Sequence, residues 1–388
     1  MKPFLNIAFL STYPPRECGI ATFTQDLVGE FKKRRYLKTG VIALSDAQYT
    51  YGEDVRFDLP QQGRQGYIEA AERINASDIQ LLIVEHEYGI FGGESGEELL
   101  ELVGQVKKPI ITTLHTVLPA PKEKQREVLR ELCQKSEKVV TMASNSRKLI
   151  EDVYGVDPSK IEMIHHGVPS FDLPSRDELK KEMGLEGRTV VSTFGFLSPE
   201  KGLEQGIDAI AQTAEEHPNI LYIISGQTHP VIKKQHGEAY RTGLEKKVLE
   251  LGLENNVRFV NKYLEKEEIA RSLALSDICM TPRLGRDQSV SSALAYAVGC
   301  GRAVVSTPYP YALELLAEGR GLLSDFEDAA SLGKNISFLL EHPEKRREME
   351  EKAARLGASM GWRSIANRYI KVCFKVFSAW LKQRESTR

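Results

Sequence analysis

Two cations and a run of hydroxyls crowd the stretch TPRLGRDQSVSSALAYAVGCGRAVVSTPY, residues 281 to 309. Arg283 and Arg286 precede Gln288-Ser289-Val290-Ser291-Ser292, which opens an apolar helical pattern. Such an opening offers free backbone N–H groups, serine hydroxyls and the positive end of a helix dipole, with two guanidinium groups beside them. That chemistry suits a phosphate or diphosphate. The plainer alternative is serine capping next to surface arginines. A third cation, Lys201, follows a strand-like run by a short loop and precedes Gly202 at a helix start. An anion there can meet the ammonium and the helix's free N–H groups together. The plainer alternative is a solvated lysine.

Histidines form the second group. His115 ends the apolar run IITTLHT, an uncommon place for a core histidine, although a satisfied structural role stays open. His86 lies between Glu85 and Glu87 and is followed by Tyr88. Two metal ligands are conceivable there, but no third and fourth stand at metal-site spacing, so no metal is expected. His165 and His166 sit where the strand pattern pauses, and one of them is expected to face a ligand. Gly19, after Pro14-Pro15, reads as a tight turn into the helical pattern IATFTQDLVGEF. Gly195 and Gly226 likewise follow strand-like runs. The chain has no GxSxG, no P-loop and no GxGxxG after a strand, which counts against a P-loop NTPase and a nicotinamide enzyme.

Parallel sheets are the elements that would gather these residues. Apolar runs recur as NIAFLST, GVIALS, IQLLIVEHEY, KPIITTLHT, KVVTMAS and KIEMIHHGV, and later as RTVVSTFGF, NILYIISGQ, VRFVNKYL, DICMTPR, RAVVSTPY and GRGLLSDF. Runs unbroken by polar residues suit strands covered on both faces, and the helical patterns between them imply right-handed crossovers. In open parallel sheets, ligands bind beyond the carboxyl ends of the strands. The cations, histidines and glycines above all fall at such ends. The polar, proline-bearing segment 166 to 188 reads as a linker, after which the pattern restarts. Residues 1–170 and 171–361 are therefore expected to be two doubly wound α/β domains. The last segment, 362–388, reads as an amphipathic helix docked on the body and packing back toward the N-terminal domain, with Ile365, Tyr369, Val372, Cys373, Val376, Phe377 and Trp380 on one face.

Composition bounds the class. The chain has 388 residues, 41% hydrophobic and 27% charged, with a net charge of −2, so a globular protein with no nucleic-acid partner is expected. Its five cysteines are scattered and odd in number, which points to a reducing cytoplasm. The run FKKRRYLK at 31 to 38, with Arg368, Lys371, Lys375 and Lys382, would suit peripheral contact with an anionic membrane. Oligomeric state has no signal here.

Taken together, PPRECGIATFTQDL, TLHTVLP, HHGVP, FGFLSPEKGLEQGIDAI and TPRLGRDQSVSSALAYAVGCGRAVVSTPY resemble the motifs of retaining GT-B glycosyltransferases of family 4, over most of the chain. The resemblance implies two Rossmann-like domains facing a central cleft. The second holds the nucleotide-sugar donor, the first a sugar or lipid-linked acceptor, with no metal or other cofactor. By matching motifs, Lys201 would hold the leaving phosphate with Arg283 or Arg286, and His115 would lie near the donor sugar. Gly19, Gly195, Phe196, Gly226, Asp287, Gln288, Ser289, Val290, Ser291 and Tyr296 would line the donor side, and His86, Glu87, Tyr88 and His166 the acceptor side.

Three positions depart from the family. Phe196 stands where an arginine is usual, and Gln288 and Tyr296 replace two glutamates that normally contact the donor sugar and the ribose. Tyrosine cannot accept hydrogen bonds from two ribose hydroxyls as a carboxylate does. An active nucleotide-sugar transferase is the favoured expectation. A sugar phosphorylase on the same fold, using a sugar 1-phosphate and inorganic phosphate, and a non-catalytic binding protein are the alternatives.

Overall fold

The computed structural model describes residues 5–386. Its contacts divide the chain into two compact units, Met1–Gly167 with Trp362–Arg388, and Val168–Gly361.

The first unit is built on seven parallel strands: β1 (Leu5–Ser11), β2 (Leu37–Ser45), β3 (Val55–Pro60), β4 (Leu81–His86), β5 (Ile110–Leu114), β6 (Lys138–Thr141) and β7 (Ile161–Met163). Their order is β3-β2-β1-β4-β5-β6-β7. Every residue of β1, β4 and β5 is buried, as expected of strands with helices on both faces. β3 is absent from the sequence expectations above. Its sequence VRFDLP carries two charges and a proline, and as an edge strand it pairs only with β2, so it needs no continuous apolar run.

The second unit holds β8 (Thr189–Phe194), β9 (Ile220–Ser225), β10 (Val257–Val260), β11 (Ile278–Thr281), β12 (Ala303–Ser306) and β13 (Leu322–Leu323). All are parallel, in the order β10-β9-β8-β11-β12-β13. In both sheets the strand order reverses once, between β1 and β4 and between β8 and β11. Crossovers leave in opposite directions there, which opens a crevice at the carboxyl ends.

The segment expected as a linker contains structure. Arg176–Glu182 is a helix whose N-cap, Ser175, exchanges hydrogen bonds with Glu178, and its Leu179 is buried in a small apolar cluster of the second unit. The S-x-x-E capping signal was present in the sequence. The long helix Trp362–Ser386 buries Ile365, Tyr369, Val372, Cys373 and Val376 within the first unit. Burying each aliphatic side chain contributes roughly 1.5–3 kcal/mol. Phe377 and Trp380 lie beyond this seam and stack on each other, with the Arg384 guanidinium over the Trp380 ring.

Of the basic residues flagged for a membrane surface, Arg34 donates to Asn367 and Arg368 to the Met163 carbonyl. Lys33, Lys371 and Lys375 are exposed. Among the described residues no helix is long and apolar enough to cross a membrane. All five cysteines are free, and Cys133, Cys279 and Cys373 are buried.

Candidate active site

In the second unit, the cations converge where β8 and β11 diverge. β8 ends at Phe194, and the chain turns through Gly195 into the short turn Pro199–Lys201 and then the helix Leu203–Glu216. Gly202 makes this turn with φ of +61°, and a Cβ on it would lie 2.0 Å from the Pro282 carbonyl oxygen. Only glycine allows both the left-handed backbone and so close an approach to the end of β11. Gly195, with φ of +103°, leaves room for the Lys201 ammonium, which would sit 2.7 Å from a Cβ there. Lys201 Nζ donates to the Phe194 carbonyl at 3.1 Å. Burial, and then the nearby Arg283 charge, lower its pKa to about 7.

Arg283 is held by its own loop. Its carbonyl accepts from the Thr307 hydroxyl at 2.7 Å, and its guanidinium donates to Gln288 Oε1 at 2.8 Å. The Gln288 amide donates in turn to the Val290 carbonyl. Arg283 Nε is buried without a hydrogen-bond partner. Ser291 caps the helix Ser292–Gly299, accepting from Leu294 N. Lys201, Arg283 and Ser291 line a cavity with Thr281, Pro282 and Ala297, and no carboxylate is among its lining residues. Its volume is about 20 Å³, room for one water molecule. The arrangement brings two basic side chains and a capped helix N-terminus together around a cavity with no carboxylate in its lining.

The structure does not bring every expected donor-side residue here. Arg286 is 65% exposed, with its guanidinium 4.4 Å from the centre of the Phe326 ring and 3.8 Å from Glu327. An exposed loop tip lets it take that partner. Asp287 is exposed as well. Tyr296 is turned inward: it is 4% exposed and its ring stacks near Phe194, because its helical face meets the sheet. Ser289 and Val290 are buried. Phe196 packs against His229 and Tyr263. Burial, with Lys201 as the next cause, lowers the His229 pKa. Gly226 closes onto the same turn, since a Cβ there would meet the Gly195 carbonyl at 2.2 Å.

In the first unit, Gly19 begins the helix after β1 and faces open space. Glu85 and His86 end β4, and His115 follows β5. His115 Nε2 lies 2.9 Å from Glu85 Oε2, and its side chain is 10% exposed. Phe23 meets the His115 ring edge-on at 4.9 Å.

The other acceptor-side residues are placed differently from the expectation. His86 is wholly buried between Tyr88 and Phe91, both ring nitrogens lack partners, and burial lowers its pKa to about 3. His166 is 4% exposed, packs on Phe23 and Trp362, and shares a hydrogen bond with the Gly167 carbonyl; burial lowers its pKa to about 4. Tyr88 is 8% exposed, its hydroxyl reaching the Gln125 carbonyl at 3.4 Å. Glu87 accepts from Tyr88 N and from the Thr116 hydroxyl. Alternation on β4 explains the burial of His86, since the residue after Glu85 must face the opposite side of the sheet.

Two contributors were not singled out from the sequence. Glu85 was seen only as a neighbour of His86, and Trp362 was read as part of the docked helix. The charge on an otherwise apolar run was a signal for Glu85, but its partner across the sheet was not legible. As for metals, among the described residues one group, Glu216, His217 and Glu341, has ligand atoms within 4.8 Å of one another. Glu216 and His217 end the helix before β9, at the amino end of that strand and away from Lys201, and Glu341 ends the helix Ala329–Glu341.

Comparison with known proteins decides the class. Residues 19–170 match the family model described as Glycosyltransferase Family 4, and residues 175–356 match Glycosyl transferases group 1. The chain belongs to the family 4-like GT-B glycosyltransferases. The chain is 25% identical over 204 residues to spore coat protein SA of Bacillus subtilis, a match covering 51% of this chain and 52% of the relative. It is 24% identical over 249 residues to a D-inositol 3-phosphate glycosyltransferase of Thermomonospora curvata, covering 60% and 56%. The chain thus spans about half the length of these curated relatives. Among solved structures, HepE of Anabaena in complex with UDP superposes with a TM-score of 0.74 at 18% identity, covering 96% of this chain and 100% of that one. Sucrose-phosphate synthase of Thermosynechococcus elongatus gives 0.78 at 17%, covering 97% and 100%. These likenesses establish the fold of the glycosyltransferase.

Proposed function

We propose that this glycosyltransferase moves a sugar, with retention of anomeric configuration and without a metal, from a nucleoside-diphosphate sugar to a hydroxyl of a saccharide or lipid-linked acceptor. The observation that carries the reading is the pairing of Lys201 and Arg283 beside the Ser291-capped helix, with no carboxylate lining the cavity. An arginine and a lysine with no carboxylate beside them suit an anion, which would also favour the charged form of Lys201, and a diphosphate leaving group supplies one. The enclosed space takes one water, so the diphosphate is bound at its mouth, after Lys201 leaves the Phe194 carbonyl.

Lys201 and Arg283 then stabilise the charge that develops on the departing phosphate. No side chain here is assigned as a nucleophile. Attack from the front face, with the leaving phosphate oxygen accepting the proton of the acceptor hydroxyl, keeps the configuration. His115 is assigned the orientation of the sugar. HepE, crystallised with UDP, and the relatives named as glycosyltransferases support a nucleotide donor.

The inward turn of Tyr296 favours a second reading, a phosphorylase, because no carboxylate remains there to hold a ribose. Thermal stabilisation by UDP, GDP, ADP or inorganic phosphate separates the readings. A ligand at 100 times its Kd adds about 2.7 kcal/mol. Stabilisation by a nucleoside diphosphate supports the transferase, and by phosphate alone the phosphorylase. A response to none of them points to a non-catalytic protein. Retention is read from the product's anomeric proton coupling, and metal independence from turnover that survives EDTA.

A further inference from the structure

His115 does not stand alone. The register of β4 on β5 sets Glu85 beside Thr113 and His86 beside Leu114. Strand alternation, continued one residue past β5, puts Thr113, His115 and Glu85 on one face. The Glu85 side chain is fully buried there. Its Oε2 lies 2.9 Å from His115 Nε2, and its Oε1 is buried with no hydrogen-bond partner. Tyr369, whose hydroxyl shares a hydrogen bond with Thr113 Oγ1 at 3.2 Å, is close enough for the Glu85 charge to raise its pKa further, after burial.

A buried carboxylate with one orphaned oxygen is a poor way to stabilise a sheet. Replacing a buried ion pair by apolar groups is often neutral or stabilising, and an unmade buried hydrogen bond is costly. The arrangement makes sense as a device acting on the imidazole. A carboxylate oxygen accepts, so Nε2 must carry the ring proton. The edge-on contact with Phe23 at an interplanar angle of 87° fixes the ring plane. Nδ1 is then left bare on the neutral ring, an acceptor and not a donor.

We propose that Glu85 is a positioning residue for sugar transfer: it commits the His115 ring proton to Nε2 and presents Nδ1 to accept a hydrogen bond from a sugar hydroxyl. This rests on the proposed transfer for its substrate, while the commitment of the proton belongs to the first unit alone.

Long-range proton–nitrogen correlation on the full chain, labelled with nitrogen-15 histidine, tests the commitment directly. The His115 signals are identified by their loss in His115→Asn. At a pH where the ring is neutral, the expected tautomer is Nε2-protonated. An Nδ1-protonated ring overturns the proposal. In Glu85→Gln, an amide can donate as readily as accept, so the tautomer becomes mixed. Turnover is expected to fall at least about 10-fold, with the Kd for the nucleoside diphosphate and the Tm unchanged. Turnover within twofold of wild type overturns the proposal. Should the variant not fold, the wild-type tautomer still decides. Absence of any nucleoside-diphosphate binding would count against the proposed donor and leave the tautomer result standing.

Discussion

The guanidinium of Arg283 donates to the side-chain oxygen of Gln288 at 2.8 Å, at the position where the family usually carries a glutamate. The neutral amide holds the arginine in place without cancelling its charge. Gln288→Glu would turn the contact into an ion pair and offset the cation proposed to hold the diphosphate. The expected outcome is nucleoside-diphosphate binding weakened about tenfold, close to 1.4 kcal/mol, by isothermal titration. Unchanged or tighter binding would show that Arg283 does not face the anion.

Lys201 should make both stability and binding depend on pH. Its pKa is about 7 in the fold and near 10.5 when unfolded. Between these values the unfolded chain binds more protons, so the lysine's penalty is full below pH 7 and is relieved as pH rises toward 10.5. Denaturation midpoints at pH 6, 8 and 9.5 should therefore rise for wild type relative to Lys201→Met. A bound anion favours the protonated form, so binding above pH 7 takes up a proton and affinity falls with rising pH. Titration in buffers of different ionisation enthalpy should detect that proton in wild type and not in Lys201→Met.

The two loop arginines should separate cleanly. Arg283→Ala removes a cavity-lining donor and is expected to lower kcat about 100-fold or more, the range for losing one preorganised charge-stabilising donor. Arg286→Ala removes a solvated side chain lying on Phe326, so stability should move by less than about 0.5 kcal/mol and turnover by less than twofold. Equal losses in both variants would return Arg286 to the site.

Glycines divide by what surrounds them. Gly202→Ala meets the Pro282 carbonyl and a left-handed φ, and should cost about 2–4 kcal/mol by urea denaturation. Gly243→Ala, inside the helix Ala239–Glu250 with open space around its Cβ, should add about 0.5–1 kcal/mol. If both changes were neutral, the tight approach of the β8 turn to the end of β11 would be in doubt.

Much of the architecture was legible in advance. Among the described residues, twelve of the thirteen strands overlap apolar runs picked out from the sequence, the central β1, β4 and β5 being buried throughout, and β3 escaped because an edge strand can be polar. The helix Arg176–Glu182 was hidden inside a proline-bearing segment although its capping pair was visible. In the second unit Lys201 and Arg283, and in the first His115, follow strand ends, a placement already visible along the chain. Adjacency does not give the direction of a side chain: His86, His166 and Tyr296 are all buried.

Residue types and spacing alone determined that this chain would form parallel α/β layers, with cations, glycines and histidines following the strands. That holds because burial on both faces and the turn into each helix are local demands on composition. Tertiary structure alone decided which distant side chains meet: Lys201 with Arg283, and Glu85 with His115. Lys201 and Arg283 stand 82 positions apart and His115 lies 30 from Glu85. Their meeting follows from strand order and register, which no local stretch of sequence encodes.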